Sequence, residues 1–269
     1  MLDYELTTWR LIQHAPQDGA LNMAVDEAVL RAVAKGDAPP TLRLYAWDPP
    51  CLSLGRGQPV DDVDRNGVEA AGYGLVRRPT GGRAILHIDE LTYSVIVPQD
   101  DPRVLGSVVE SYRRLSQALV RALELLGVPD VEADQRAAGA GEEGPVCFET
   151  PSDYEITAGG KKLVGSAQMR AEGVVLQHGT VPLHGDIARI CPLLAQHPDP
   201  TRVRARATTI ARAAGRTVGW NEAAGALIAG FGQALGVDVA AGELSDGERA
   251  AAERLRHEKY GTERWSSTI

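Results

Sequence analysis

The sequence has little cysteine and little phenylalanine, with three and two of them among 269 residues. Cys51, Cys147 and Cys191 lie far apart, and their odd number without a C-x-x-C spacing argues against a disulfide framework and against a zinc site. Because seven tyrosines and four tryptophans accompany the two phenylalanines, we expect an aliphatic core with amphipathic rings near its margins.

An excess of positive charge is also missing. The formal net charge is −8, which argues against extensive nucleic-acid binding. No apolar run approaches 18 residues, and the first five residues carry acids where a signal peptide needs basic residues. We therefore expect a cytoplasmic protein with reduced thiols and no membrane contact. The length favours a single domain over residues 1–269, with a helical C-terminal part at about 200–269.

Hydrophobic periodicity indicates alternating helices and strands in the first half of the chain. An amphipathic helix is predicted over 22–34 and ends at Gly36, and a long helix is predicted over 104–126. Strands are predicted at 41–45, 51–55 and 74–78. Two further β-rich runs, 84–86 and 91–97, flank a short polar stretch as in a hairpin.

The second half begins with a hairpin signal and becomes helical. Residues 154–157 and 162–166 flank Gly159 and Gly160, which is typical of a tight β-turn, and 173–179 supplies another strand. Helices are predicted over 221–235 and from the capping box at Ser245 to about Tyr260. The segment 139–144 has few bulky apolar residues and is predicted to be a mobile loop.

The densest polar motif is the run 77–83, directly after a predicted strand. Gly81 and Gly82 let backbone N–H groups approach a ligand, and Arg77 and Arg78 are suited to an anion or a carboxylate. An ordinary Gly-Gly turn on a basic edge explains the run equally well, since it is neither a Walker loop nor G-x-G-x-x-G.

Cys147 follows the Gly-rich segment and is the candidate nucleophile, whereas Cys51 and Cys191 lie among apolar residues and are interpreted as core residues. A single cysteine is more often structural, so catalysis needs an activating neighbour. Lys162 is that candidate, because a nearby ammonium favours the thiolate. The alternative is a solvated hairpin lysine, and the sequence does not distinguish Lys161 from Lys162.

Histidines and arginines supply two weaker hypotheses. His87 and His178 follow the arginine-glycine run and a strand, and either is a structural histidine or a residue lining the same cleft. Five arginines between residues 201 and 219 stand without an acid, and they form either a solvated basic face or a docking surface for an acidic protein. These arginines are Arg202, Arg204, Arg206, Arg212 and Arg216.

Four motifs together resemble the biotin/lipoate protein ligase and octanoyltransferase superfamily. They are the runs 77–87, 90–95, 160–168 and 177–179. Within this superfamily, Val146-Cys147-Phe148 followed by Pro151-Ser152 and Tyr154-Glu155 is similar to the octanoyltransferases of Gram-positive type. The resemblance extends from Trp9 to Trp265 and implies an α+β fold, with mixed and antiparallel sheets wrapped by helices as in biotin ligase and class II synthetases.

The resemblance also implies roles for residues. Cys147 matches the position that carries an acyl thioester, and Lys162 matches the lysine that lowers its pKa. The loop around Arg77, Arg78 and Thr80 matches the turn that contacts the acyl group. Further substrate-binding residues are expected to be Gly81, Gly82, His87, Gly165, Ser166, Ala167 and His178.

The activity implied is octanoyl transfer from octanoyl-acyl carrier protein to a lysine of a lipoyl domain or a glycine-cleavage H protein. Backbone N–H groups near Gly165 and Ser166, or near Gly81 and Gly82, are candidate oxyanion donors. Aliphatic residues within 84–97 and 174–176 are expected to line the octanoyl slot. Neither ATP nor a metal is needed, and a monomer is expected.

Three alternatives remain open at this point. An ATP-dependent lipoate-protein ligase shares the arginine-glycine and lysine motifs but does not depend on a cysteine at position 147. An amidotransferase that moves octanoyl between lipoyl domains differs only in its donor. A non-catalytic protein that binds lipoyl domains is the alternative from another functional class.

Overall fold

The computed structural model describes residues 4–134 and 155–267. The predicted loop at 139–144 and the candidate nucleophile Cys147 lie outside these residues. Among the described residues, no helix is both long and apolar enough to cross a lipid bilayer.

The described residues form strands and helices that are interspersed along the chain. The strands are β1 Thr7–Gln13, β2 Thr41–Tyr45, β3 Cys51–Leu54, β4 Gly74–Arg77, β5 Ile85–His87, β6 Glu90–Pro98, β7 Val131–Asp134, β8 Glu155–Ala158, β9 Lys161–Ala171, β10 Val174–Pro182 and β11 Val237–Ala241. The α-helices are α1 Gly19–Lys35, α2 Arg65–Ala70, α3 Val108–Leu125, α4 Pro200–Arg206, α5 Ile210–Ala214, α6 Trp220–Leu235, α7 Asp246–Leu255 and α8 Glu263–Ser266.

The strands form two sheets. Eight of them pair in the order β11-β1-β2-β6-β10-β9-β8-β7, in which β1 is parallel to both β11 and β2, and the remaining pairs are antiparallel. A small sheet has the order β4-β3-β5. The predicted α+β class, with mixed and antiparallel sheets wrapped by helices, is confirmed.

Helices cover both faces of the large sheet at its central strands, so β2, β6 and β10 are buried on both sides. On one face, Trp9, Leu42 and Tyr93 belong to an apolar cluster with Phe231 of α6 and with residues of α3. On the other face, strand residues such as Tyr45 pack against α1 and α7. A third cluster joins the small sheet to α4 and to a 3-10 segment at Ile187–Leu193.

Short sequence signals at the ends of helices and strands predict several element boundaries correctly. Gly36 ends α1 in the left-handed conformation, with φ of 74°. Gly159 and Gly160 both have positive φ between β8 and β9, which confirms the predicted hairpin. The capping box at Ser245 and Glu248 opens α7, and a π-helical turn at Arg256–Tyr260 extends it to the predicted end.

The predicted hairpin between 84–86 and 91–97 is wrong. β5 pairs with β3 in the small sheet, whereas β6 lies between β2 and β10 in the large one. Two corrections are smaller. The long helix starts at Val108 because Ser107 caps it, and β11 lies within the region 200–269 that was predicted to be helical.

Candidate active site

A narrow cavity lies over the large sheet, on the face that α1 covers. Its floor follows the strand register. Tyr45, Thr92, Thr180 and Gly165 are paired in turn across β2, β6, β10 and β9, so they form one row on the same face of the sheet, from the large ring of Tyr45 to Gly165, which has no side chain. The next row supplies His178 and Ala167. The surrounding walls come from Met23, Trp47, Arg78, Ile85 and His87.

One wall is held by a buried chain of hydrogen bonds from α1 to the arginine-glycine loop. His178 has Nδ1 3.1 Å from Oδ2 of Asp26 and Nε2 2.7 Å from the hydroxyl of Thr80. Burial lowers the pKa of His178 more than the Asp26 carboxylate raises it, so the ring stays neutral. A neutral ring that donates from Nδ1 to Asp26 accepts the Thr80 hydroxyl at Nε2.

Asp26 is an ionised carboxylate inside the protein. Arg43 donates to Oδ1 at 2.7 Å, and both side chains are fully buried. The hydroxyls of Ser94 and Tyr45 also donate to this carboxylate, at 2.9 and 3.1 Å. Burial raises the pKa of Asp26, but Arg43 and His178 oppose this and leave the pKa below its usual value.

A second chain of the same kind holds the opposite wall. His87 has Nδ1 2.8 Å from Glu90 and Nε2 2.7 Å from the Ser53 hydroxyl. Its ring stacks on Trp47 with centroids 3.9 Å apart. Both ring nitrogens of His87 and of His178 are engaged in these chains, which fix the orientation of the two rings in the cavity lining.

The arginine-glycine loop is held by its own arginines. Arg77 donates to the carbonyl oxygens of Gly55 and Gln58 at 2.7 and 2.6 Å, and to that of Ser266 at 3.0 Å. Arg78 donates to the carbonyl oxygens of the loop and of Ser53. These contacts hold the loop in place through backbone acceptors. The anion-binding role suggested for Arg77 and Arg78 stays a prediction.

Glycine is required where the loop meets β3. A Cβ atom on Gly55 would lie 1.9 Å from the carbonyl oxygen of Gly82, so any side chain there would displace the loop. Gly82 itself has φ of +95°, a region that L-residues rarely adopt. The two glycines therefore set the close approach between β3 and the loop.

Lys162 and Lys161 have opposite environments on β9. Lys162 is buried and its Nζ lies 2.7 Å from Oε1 of Glu155, with 4% and 7% of the two side chains exposed. Lys161 is exposed and donates to the carbonyl oxygen of Arg204. Lys162 is thus the lysine that points inward, three residues before Gly165 at the cavity floor. Glu155, its partner, was assigned no role from the sequence.

Comparison with known proteins agrees with this architecture. The family described as lipoyl protein ligase A/B catalytic domain matches residues 18–232. The chain belongs to this family.

Relatives within the family match almost the whole chain. A protein of Kyrpidia tusciae named octanoyltransferase LipM is 46% identical, over 97% of this chain and 99% of its own length. A protein of Symbiobacterium thermophilum with the same name is 42% identical, over 97% and 98%. The bipartite lipoate protein ligase of Thermoplasma acidophilum, described with its E2 lipoyl domain, is 26% identical with a TM-score of 0.82, over 98% of each chain.

Residues expected from the family motifs fall into two groups. Five of them line the cavity, namely Arg78, His87, Gly165, Ala167 and His178. Thr80 does not line the cavity but contacts His178, which does. Arg77, Gly81 and Gly82 are also not among the lining residues. Ser166 lies on the other face of the sheet, with its hydroxyl 2.8 Å from that of Tyr93, because side chains alternate along β9. The register thus separates Ser166 from its neighbours.

The expected aliphatic lining is only partly present. Ile85 lines the cavity, but residues 174–176 belong to the apolar clusters under α1 and α3. The other lining residues are Met23, Tyr45, Trp47, Thr92, Gly179 and Thr180, which sequence reasoning did not find. Knowledge of the strand register would have identified the floor residues among them, because residues paired across neighbouring strands lie on the same face of a sheet.

The remaining cysteines and the arginine-rich segment lie elsewhere. Cys51 and Cys191 are buried, as predicted for core residues, and burial raises the pKa of the Cys51 thiol. In the arginine-rich segment, Arg204 pairs with Asp186 at 2.7 Å and Arg216 pairs with Glu222 at 2.7 Å. Arg202 and Arg206 are exposed on α4.

Proposed function

We propose that this chain transfers an octanoyl group from octanoyl-acyl carrier protein to a lysine of a lipoyl-accepting protein, through a thioester on Cys147. The observation that carries the proposal is the identity of 42–46% with proteins named octanoyltransferase, over 97% of the chain. The lining of the cavity supports it, because mostly apolar walls suit an alkyl chain.

In the first step, the Cys147 thiolate attacks the carbonyl carbon of the donor thioester. The tetrahedral intermediate collapses, the C–S bond to the carrier breaks, and the carrier leaves as a thiolate that takes up a proton. Cys147 then carries the octanoyl group. Because a thiol of ordinary pKa near 8.5 is mostly protonated at pH 7, the step gains from a cation beside the sulfur.

Lys162 is proposed to supply that cation. Its ammonium is buried and lies against Glu155, which orients it from β8. In the second step, the unprotonated amine of the acceptor lysine attacks the Cys147 thioester. An amide forms, the amine loses a proton, and Cys147 is released. Thioester to amide is energetically downhill, so the proposal includes neither ATP nor a metal.

A lipoyl domain is the acceptor class that the comparisons support. The Thermoplasma acidophilum relative is described together with its E2 lipoyl domain. The same relative is a ligase, which makes ATP-dependent lipoylation the alternative that the experiment has to exclude.

The decisive experiment uses intact mass spectrometry after incubation with octanoyl-acyl carrier protein and without ATP. An octanoyl adduct that hydroxylamine removes is expected on the unaltered chain and is absent from Cys147→Ala. Cys191→Ala is the matched control, because Cys191 is buried in the third apolar cluster and its loss leaves the adduct in place. Formation of lipoyl-adenylate from free lipoate and ATP, with no adduct from octanoyl-acyl carrier protein, would replace the transferase with the ligase.

A further inference from the structure

Thr180 has an unusual hydroxyl in the cavity floor. Its side chain lies in the row between Thr92 and Gly165, and the residue is 1% exposed. Within residues 4–134 and 155–267, its Oγ1 atom has no hydrogen-bond partner. A buried hydroxyl without a partner is unfavourable, and such groups in native proteins are few. A ligand atom that enters the cavity can supply a partner for this hydroxyl.

Neighbouring polar groups in the floor are already paired. The Thr92 hydroxyl donates to Glu90 and accepts from Nε1 of Trp47 at 2.8 Å. The Tyr45 hydroxyl donates to Asp26. Thr180 thus differs from Thr92, although both are threonines that share one row.

On the β9 side of Thr180, the described residues place no large side chain. Gly165 is its cross-strand partner and has no side chain, and Ala167 in the next row contributes only a methyl group. Toward β2 the row ends at the large ring of Tyr45, two strand spacings or about 10 Å from Thr180. Among the described residues, the row therefore runs from Gly165 and the Thr180 hydroxyl at one end to the ring of Tyr45 at the other.

We propose that Thr180 donates a hydrogen bond to the carbonyl oxygen of the bound acyl thioester. An octanoyl thioester carries one strong acceptor, its carbonyl oxygen, and the remainder of the chain is hydrocarbon. Pairing the Thr180 hydroxyl with this acceptor places the carbonyl over Gly165 and directs the alkyl chain toward Tyr45 and Met23. The bond strengthens as negative charge develops on this oxygen. The inference rests on the proposed function.

The test compares two probes that differ only in the carbonyl group, S-octanoyl-N-acetylcysteamine and its S-octyl thioether. Binding is measured by calorimetry in a Cys147→Ala background, so that no transfer occurs. Thr180→Val is expected to weaken the thioester about five- to tenfold and to leave the thioether unchanged, as loss of one hydrogen bond predicts. Thr180→Ser keeps the hydroxyl and is expected to stay within about twofold of its parent.

Two further readouts separate substrate contact from a structural role. The carbonyl stretching band of the bound thioester is expected at lower frequency in the parent and in Thr180→Ser, which both carry a hydroxyl, and at higher frequency in Thr180→Val. Free Thr180→Val is expected to unfold at the same or a higher temperature, because it buries a methyl group where an unpaired hydroxyl was.

The proposal is overturned if Thr180→Val weakens both probes equally, if it changes neither, or if it destabilises the free protein. Binding of neither probe would overturn it as well. Failure of the proposed function appears in a different measurement, as an unaltered chain that forms no octanoyl adduct with the carrier-protein donor.

Discussion

Nδ1 of His178 lies 3.1 Å from Oδ2 of Asp26, although one residue belongs to β10 and the other to α1. The contact holds α1 against the large sheet beside the cavity. Through the 2.7 Å contact of Nε2 with Thr80, it also fastens the arginine-glycine loop. A carboxylate far from the family motifs therefore determines the shape of the site.

Replacing Asp26 with asparagine is expected to destabilise the protein by about 3–5 kcal/mol, since it leaves the buried Arg43 guanidinium without its counter-charge. Urea unfolding measures the change. Glu69→Gln, at an exposed position of α2, is the control and is expected to stay within about 0.5 kcal/mol. A loss below about 1 kcal/mol for Asp26→Asn would contradict the importance of the pair.

Stability is expected to fall on mild acidification because of His14. Burial and the Arg43 guanidinium lower the pKa of His14 to about 4. In the unfolded chain a histidine titrates near 6.5, so between about pH 6.5 and pH 4 the unfolded state binds a proton that the native state does not. The free energy of unfolding therefore decreases as the pH falls through this window.

Urea midpoints at pH 7.5 and pH 5 test the effect. His14→Asn is expected to reduce the decrease, while His257→Asn, at an exposed position, preserves it. His178 contributes in the same direction, because its pKa is also lowered. Equal decreases in the unaltered chain and in His14→Asn would show that His14 is not responsible.

The two adjacent lysines form a matched pair for the chemical step. Lys162→Ala is expected to slow octanoyl-enzyme formation, and most strongly at low pH, because the thiol then reverts toward its ordinary pKa near 8.5. Lys161→Ala removes an exposed amine and is expected to leave the rate within about twofold. Rapid-quench mass spectrometry from pH 6 to pH 9 supplies the profiles. Parallel profiles for Lys162→Ala and the unaltered chain would remove this lysine from the mechanism.

Chain-length preference is expected to depend on Met23, which contributes to the cavity wall from α1. Met23→Phe is expected to shorten the cavity and to favour hexanoyl over octanoyl donors. Each methylene group that no longer fits loses about 0.8 kcal/mol of burial free energy, which changes the relative rate roughly fourfold. Met23→Leu conserves the volume and is expected to keep the preference. Relative rates with hexanoyl- and octanoyl-carrier proteins measure the shift, and an unchanged ratio in Met23→Phe would place the alkyl end elsewhere.

Docking of an acidic acceptor is expected to involve Arg202 and Arg206. Reversal of both charges lowers the association rate at low salt and flattens its salt dependence, because exposed charges mainly steer association. Arg204 is left unchanged, since it pairs with Asp186. Stopped-flow association with a lipoyl domain measures the rate. Reversal of Lys35 and Arg254, exposed on α1 and α7, is the charge-matched control, and equal effects of the two pairs would contradict a local docking surface.

Sequence alone predicted the features that depend on neighbours along the chain. The end of α1 at Gly36, the turn at Gly159 and Gly160, and the capping box at Ser245 each follow from the backbone preferences of a few adjacent residues. The family motifs also brought Arg78, His87 and His178 to attention before their positions were known.

Tertiary structure alone decided which of these residues share a site. β5 and β6 follow each other directly, yet they lie in different sheets, and Gly165 and Ser166 are adjacent, yet they lie on opposite faces. Asp26 and Thr180 gain their positions from contacts with residues far away along the chain. Strand register and helix packing create these proximities, and both arise from burying apolar surface throughout the chain, which no local pattern encodes.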